Sequence, residues 1–144
     1  MKLIIHKIIS VLIIICVLIL IFILNTGCAK KAYSFNNDVE NIVSVEIVDA
    51  DNSKNFEVKM KLSDNQVKEF LEKFQEIKFG KIIFGDPLTV HGIAFKITYD
   101  TGDYEIITNS WSEYVKDDSC YFLYTYCDEE EFGELVDDFL SITG

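Results

Sequence analysis

Hydrophobic and polar positions divide the chain into one continuous apolar run followed by stretches of period two and period 3.6. Ile8 to Leu24 carries no charged residue, and only Ser10 and Cys16 interrupt it. At 1.5 Å rise per residue such a helix reaches about 26 Å, close to the hydrocarbon thickness of a bilayer. From Ile42 the pattern changes. Val43, Val45 and Ile47 share one face of a β-branched stretch, and Phe56, Val58, Met60 and Leu62 alternate with Glu57, Lys59 and Lys61. Two half-buried strands are expected, joined as a hairpin through Asp49 to Asn55.

At Ser63 the period becomes 3.6, with Val67, Phe70, Leu71, Phe74 and Ile77 on one stripe. This predicts an amphipathic helix, and Ser63 with Gln66 has the spacing of a capping box. Gly80 is expected to close the helical region. Lys81 to Phe84 reads as a short extended segment stopped by Gly85-Asp86-Pro87, before a loop holding His91. Ile93, Phe95, Ile97 and Tyr99 then alternate with Ala94, Lys96 and Thr98, and Tyr104, Ile106 and Thr108 follow a connection in which Gly102 supplies a positive φ. Trp111, Tyr114 and the run Cys120 to Cys127 give further strands, with Lys116-Asp117-Asp118-Ser119 as their turn. A last helix begins at the capping residue Asp128, with Phe132, Leu135, Val136, Phe139 and Leu140 as its apolar stripe.

This order predicts an α+β fold: a largely antiparallel sheet of about five to seven strands with two amphipathic helices packed on one face, after an N-terminal apolar signal or anchor helix. Residues 1–27 read as that signal or anchor, 28–41 as a polar tether that lets the domain stand clear of a bilayer, and 42–144 as one domain.

Charge narrows the partners. The chain has 24 acidic residues against 13 basic ones, a net charge of −11. Every acidic residue lies after Cys28, whereas Lys2 and Lys7 precede it, so the remainder is more acidic than the whole. Nucleic acid and anionic lipid are poor partners for such a surface taken as a whole. The absence of arginine and the abundance of Ile, Lys and Asn match the usage of an A+T-rich bacterial genome.

The apolar run ends in Leu24-Asn25-Thr26-Gly27-Cys28, after an N-terminal stretch bearing Lys2, His6 and Lys7. Small residues just before a Cys at the end of such a run resemble the lipobox of bacterial lipoproteins, with Asn25 where that pattern prefers Leu. The resemblance implies a diacylglyceryl group on the Cys28 thiol, cleavage before Cys28, and Cys28 as the mature N-terminus. An uncleaved span and ordinary secretion are the alternatives, and all three place the remainder on the outer side of the membrane. The hairpins and terminal helix, with Phe84-Gly85-Asp86-Pro87 and Cys127-Asp128-Glu129-Glu130-Glu131-Phe132, also resemble small lipoprotein domains of low-G+C Gram-positive bacteria. That second likeness implies no activity.

Candidate chemistry beyond Cys28 is sparse. Cys120 and Cys127, if on one strand, stand about 23 Å apart, against the roughly 7 Å that a disulfide needs, so they read as small apolar residues. Asp49 to Asn55 has the alternating oxygens of a calcium loop, but Lys54 and Met60 occupy the positions where an EF-hand has Gly and Glu, so it reads as a solvated turn. His91, the sole histidine after Cys28, has no partner base or nucleophile motif in the sequence. No catalytic residue, cofactor or metal is therefore expected. The expected function is a lipid-anchored, extracytoplasmic binding or interaction module with a protein partner, an inhibitory or immunity-type role included. The alternative is a structural or sensory envelope protein that responds to wall polymer or cations.

Overall fold

The computed structural model describes residues 12–17, 30–52, 54–81, 92–123 and 125–141. Nine strands form among these residues: β1 (Lys31–Ala32), β2 (Ile42–Asn52), β3 (Asn55–Lys61), β4 (Lys78–Lys81), β5 (Gly92–Tyr99), β6 (Tyr104–Ile107), β7 (Ser112–Lys116), β8 (Ser119–Leu123) and β9 (Thr125–Tyr126), of which β1 and most of β4 fall where no strand is expected. The stripes of period 3.6 form α1 (Asp64–Glu76) and α2 (Glu129–Leu140), and a single 3-10 turn spans Val39–Asn41. All strand pairs are antiparallel. Instead of one sheet there are two, a six-stranded sheet in the order β3-β2-β5-β6-β7-β8 and a three-stranded one in the order β1-β4-β9. Residues 12–17 are helical, and among the described residues no helix is long and apolar enough to cross a membrane.

Both helices start where their caps predict. The Ser63 backbone N–H and hydroxyl both donate to Gln66 Oε1, at 2.9 and 2.8 Å, and Asp128 Oδ1 accepts from the backbone N–H groups of Glu130 and Glu131. Such a cap satisfies N–H groups that the first helical turn leaves without partners. The apolar stripes of α1 and α2 cover one face of the six-stranded sheet. Phe95 is the hub: its ring lies 4.7 Å from that of Phe70 on α1 and 5.4 Å from that of Phe132 on α2, centroid to centroid. Val45, Ile47, Ile97, Tyr99 and Ile107 complete this core from the sheet.

Two β-bulges change which residues face it. A register shift between Ile42 and Ser44 leaves Val43 exposed and turns Ile42 toward the core, against the expected sharing of a face by Val43, Val45 and Ile47. A second shift, between Ile47 and Val48, sets Ile47 opposite Met60 but Val48 opposite Val58. Met60 therefore packs on the helix side while Phe56 packs on the other face, so the four alternating residues of β3 do not form one buried stripe. An extra residue in one strand inverts the side-chain alternation beyond it.

The face away from the helices is also buried. Val48, Ala50, Ala94 and Ile106 are nearly inaccessible there, packed with Phe56, Tyr104 and Trp111. The Lys54 ammonium donates to Asp118 O at 3.0 Å, joining the loop after β2 to the turn between β7 and β8. Because β3 and β8 are the two edges of the sheet, this contact means that the sheet curls over its own second face. The β7–β8 turn is tight, with Asp117 and Asp118 at φ of 48° and 62°, as expected of a two-residue hairpin connection. Gly102 has the predicted positive φ, 87°.

Gly80 does not end a helix. It lies in β4 beneath the ring of Tyr126, where a Cβ would sit 2.6 Å from Tyr126 Cε1. Of the extended segment expected over Lys81 to Phe84, only Lys81 is among the described residues, and Gly85-Asp86-Pro87 lies outside them.

Phe95→Ala removes the ring on which both helices meet. We expect it to cost about 3–5 kcal/mol of folding stability, read as a lowered urea midpoint, while Val43→Ala, at the exposed bulge, changes the midpoint little.

Candidate functional site

The segment expected to be a tether is docked from Lys31 onward, and its attachment point is a buried acid. Glu105 on β6 is fully inaccessible. Its carboxyl group accepts from the Tyr33 hydroxyl at 2.7 Å, from the Asn36 backbone N–H at 2.6 Å and from the Tyr99 hydroxyl. Tyr33 itself is buried edge-on against Phe35, Phe74 and Phe79, and β1 pairs with β4 through Lys31 opposite Phe79. Lys31 to Asn41 therefore belong to the folded body rather than to a free linker. A buried carboxyl group tolerates its loss of hydration only where donors replace water, and two of the three donors here come from that segment. Burial, then the neighbouring Glu105, holds the hydroxyls of Tyr33 and Tyr99 far above the usual tyrosine range. Tyr114, which donates to Asp103 Oδ2 at 2.8 Å, is pushed up to about 12 by burial and then by that hydrogen bond.

A second buried acid occupies the opposite face of the sheet. Glu113 on β7 stands across from Ile106, and its Oε1 is buried without a hydrogen-bond partner among the described residues. On the same face Lys96 pairs with Glu46 at 3.2 Å and lies over the rings of Phe56 and Tyr104, at 4.7 and 5.2 Å from their centroids. Neither buried acid was singled out in the sequence, since each sits among alternating residues where solvent exposure is the ordinary reading. The signal was the turn. A four-residue connection from Asp100 to Asp103 sets Tyr104 opposite Thr98, which puts Glu105 opposite Ile97 on the core face and Ile106 opposite Lys96 on the other.

Two shallow grooves flank α2. One, of about 290 Å³ between the helices, is lined by Ile77 and Leu135 with Glu76, Glu131, Glu134 and Asp138 around them. Lys73 bridges its rim to Glu69 and Asp138 at 2.9 and 2.8 Å. The other, of about 350 Å³, runs between α2 and the start of β5, over Ile93, Phe132 and Val136. Gly133 opens it, since a Cβ there would meet nothing within 4 Å.

No disulfide joins Cys120 to Cys127. The two do not share one regular strand: Cys120 is in β8, and Cys127 follows β9 with its side chain in the main core. Burial pushes the Cys127 thiol up to about 12, with Glu131 adding, Lys30 opposing and Asp128 adding to a lesser degree. The Asp49–Asn55 connection is largely strand, and Asn55 Nδ2 donates to Asp51 Oδ2 within it. Among the described residues no three potential metal ligands lie close enough together to hold an ion. Of the aromatic series from Trp111 to Tyr126, Trp111 packs on the second face, Tyr114 is half-buried and Tyr121 is 54% exposed. Tyr124 and the side chain of Phe122 lie outside the described residues, as do Cys28 and His91.

The two acids have opposite expected effects. Glu105→Ala strands two buried hydroxyls and an N–H, so we expect a loss of about 3 kcal/mol or more and early proteolytic cleavage between Lys31 and Asn41. Glu113→Leu removes a buried group with an unpartnered oxygen, so we expect an unchanged or higher urea midpoint, by up to about 2 kcal/mol. The raised tyrosines fix the alkaline limb. Their contribution to stability is complete below the unfolded-state value near pH 10 and is lost as pH rises through about 10 to 12 and beyond. Urea midpoints measured across that range, with tyrosinate absorbance alongside, test this.

Comparison with known proteins finds no match: no family model, no curated protein and no solved structure is significantly similar to the chain.

Proposed function

We propose that the chain is a membrane-held, extracytoplasmic binding module whose partner is a protein presenting a basic segment. One apolar run supports the membrane-held part, by its sequence and by the exposure of its described residues. Ile8 to Leu24 ends at Gly27-Cys28, the lipobox-like site at which Cys28 carries the lipid in the leading form of this reading. The helical residues 12–17 expose Leu12, Ile13, Ile14, Ile15 and Val17, a contiguous apolar surface that water does not satisfy.

The observation that carries the binding part is the groove between α1 and α2. Four acidic side chains, with Lys73 paired to one of them, Asp138, surround Ile77 and Leu135 in a space of about 290 Å³, at the lower edge of what encloses a small molecule. An open acid-walled cleft suits a segment whose lysines or arginines meet the carboxylates while an apolar side chain rests on Ile77 and Leu135. The acidic surroundings steer such a partner and turn away nucleic acid.

The test is a pull-down from envelope extracts with the full-length chain in detergent, beside a Glu131→Gln, Glu134→Gln, Asp138→Asn variant. We expect a partner retained at low salt, released as salt rises, and lost to the variant. Background alone, or a partner held equally by the variant, would overturn the assignment of the groove.

A further inference from the structure

We infer that the outer face of the three-stranded sheet is a docking surface for an anionic lipid bilayer, so that the domain lies against its membrane instead of standing clear of it. The charge of this sheet runs against that of the chain. In a sequence with 24 acidic and 13 basic residues, β1, β4 and β9 together contain Lys31, Lys78 and Lys81 and no acidic residue. Register places Ala32, Lys78, Gly80 and Tyr126 on one face, since Ala32 pairs with Lys78 and Gly80 with Tyr126, while Lys31 and Lys81 take the face of Phe79. The side chain of Tyr126 covers Gly80, and the Lys30 ammonium stands 5.6 Å from its ring centroid, so Lys30 and Lys78 are the cations of the outer face. Lys30, Lys31, Lys78 and Lys81 are all exposed, with Lys78 also reaching Gln75 O at 3.4 Å. Asp128 to Glu131 follow β9 and bound this patch at its α2 end.

The chain path supplies the occupant. Lys30 is two residues beyond Cys28, and two peptide steps span at most about 7.6 Å. Docking of residues 31–41 by Glu105 leaves no length for the sheet to move away from that point. The inference thus rests on the membrane-held reading above and holds for a lipidated Cys28 or an uncleaved span alike. Either brings Lys30 and Tyr126 to headgroup level, where a tyrosine ring and the long stems of lysines fit the boundary between apolar and wet. Ammonium groups there meet lipid phosphates across less than a screening length.

The experiment is amine footprinting of the full-length chain, reconstituted in vesicles of phosphatidylcholine alone or mixed with phosphatidylglycerol, with acetylation of each lysine followed by mass spectrometry. Lys30 and Lys78 are expected to react severalfold more slowly on the mixed vesicles, with Lys68 and Lys116 unchanged. The difference is expected to vanish in about 1 M salt, where screening acts within about 3 Å, and in a Lys30→Glu, Lys78→Glu variant. A chain that floats with both kinds of vesicle but shows equal rates at Lys30 and Lys78 overturns the docking surface and leaves the anchor standing. A chain that does not float with phosphatidylcholine vesicles overturns the anchor and the docking surface with it.

Discussion

Glu105 is the constraint around which the rest of the domain is arranged. A carboxyl group placed opposite Ile97 in the middle of an aromatic core is costly unless hydrogen-bond donors replace its water. Tyr99 supplies one donor from the adjacent strand, and Tyr33 and Asn36 supply the others from a segment some seventy residues earlier in the chain. Closing this site therefore fixes the N-terminal segment on the domain. It seats Tyr33 among Phe74 and Phe79, brings Lys31 and Ala32 beside β4, and so creates the small sheet that Tyr126 completes.

The large sheet uses its two faces differently. The helix side is a conventional aromatic and aliphatic core, closed by Phe70, Phe74, Phe132 and Phe139. The second face has no helix over it among the described residues and is instead shut by curvature, held by the Lys54–Asp118 contact between hairpin tips. Bulges in β2 and β3 make that curvature and decide which side chains each face receives. The curled face encloses Glu113 with an oxygen unpartnered. A protein that satisfies one buried acid fully and another only in part has two very different polar sites in one sheet, the first a structural tie and the second a local weakness.

The proposed function rests on where this body would sit. With the linker docked, two residues separate Cys28 from Lys30, so a membrane holding residue 28 would have the small sheet as its nearest part. The acid-walled groove between α1 and α2 is the surface proposed for a partner, in a domain whose overall charge repels nucleic acid.

The sequence by itself determined the elements and their local limits: both capped helices, the hairpins, the turn at Asp117-Asp118 and the antiparallel α+β class. Each is set within a few residues, by the spacing of apolar positions or by a side chain that reaches its own backbone. What only the tertiary structure decided was the parity of each strand and the fate of its polar residues. A one-residue bulge, invisible in composition, exposes Val43 and turns Phe56 away from Met60. The division into two sheets, the docking of residues 31–41, the burial of Glu105 and Glu113 and the placing of Lys30 beside Tyr126 all depend on contacts between segments distant in the chain. Local periodicity carries no information about such contacts, because it reports which side of an element is apolar and not what comes to cover it.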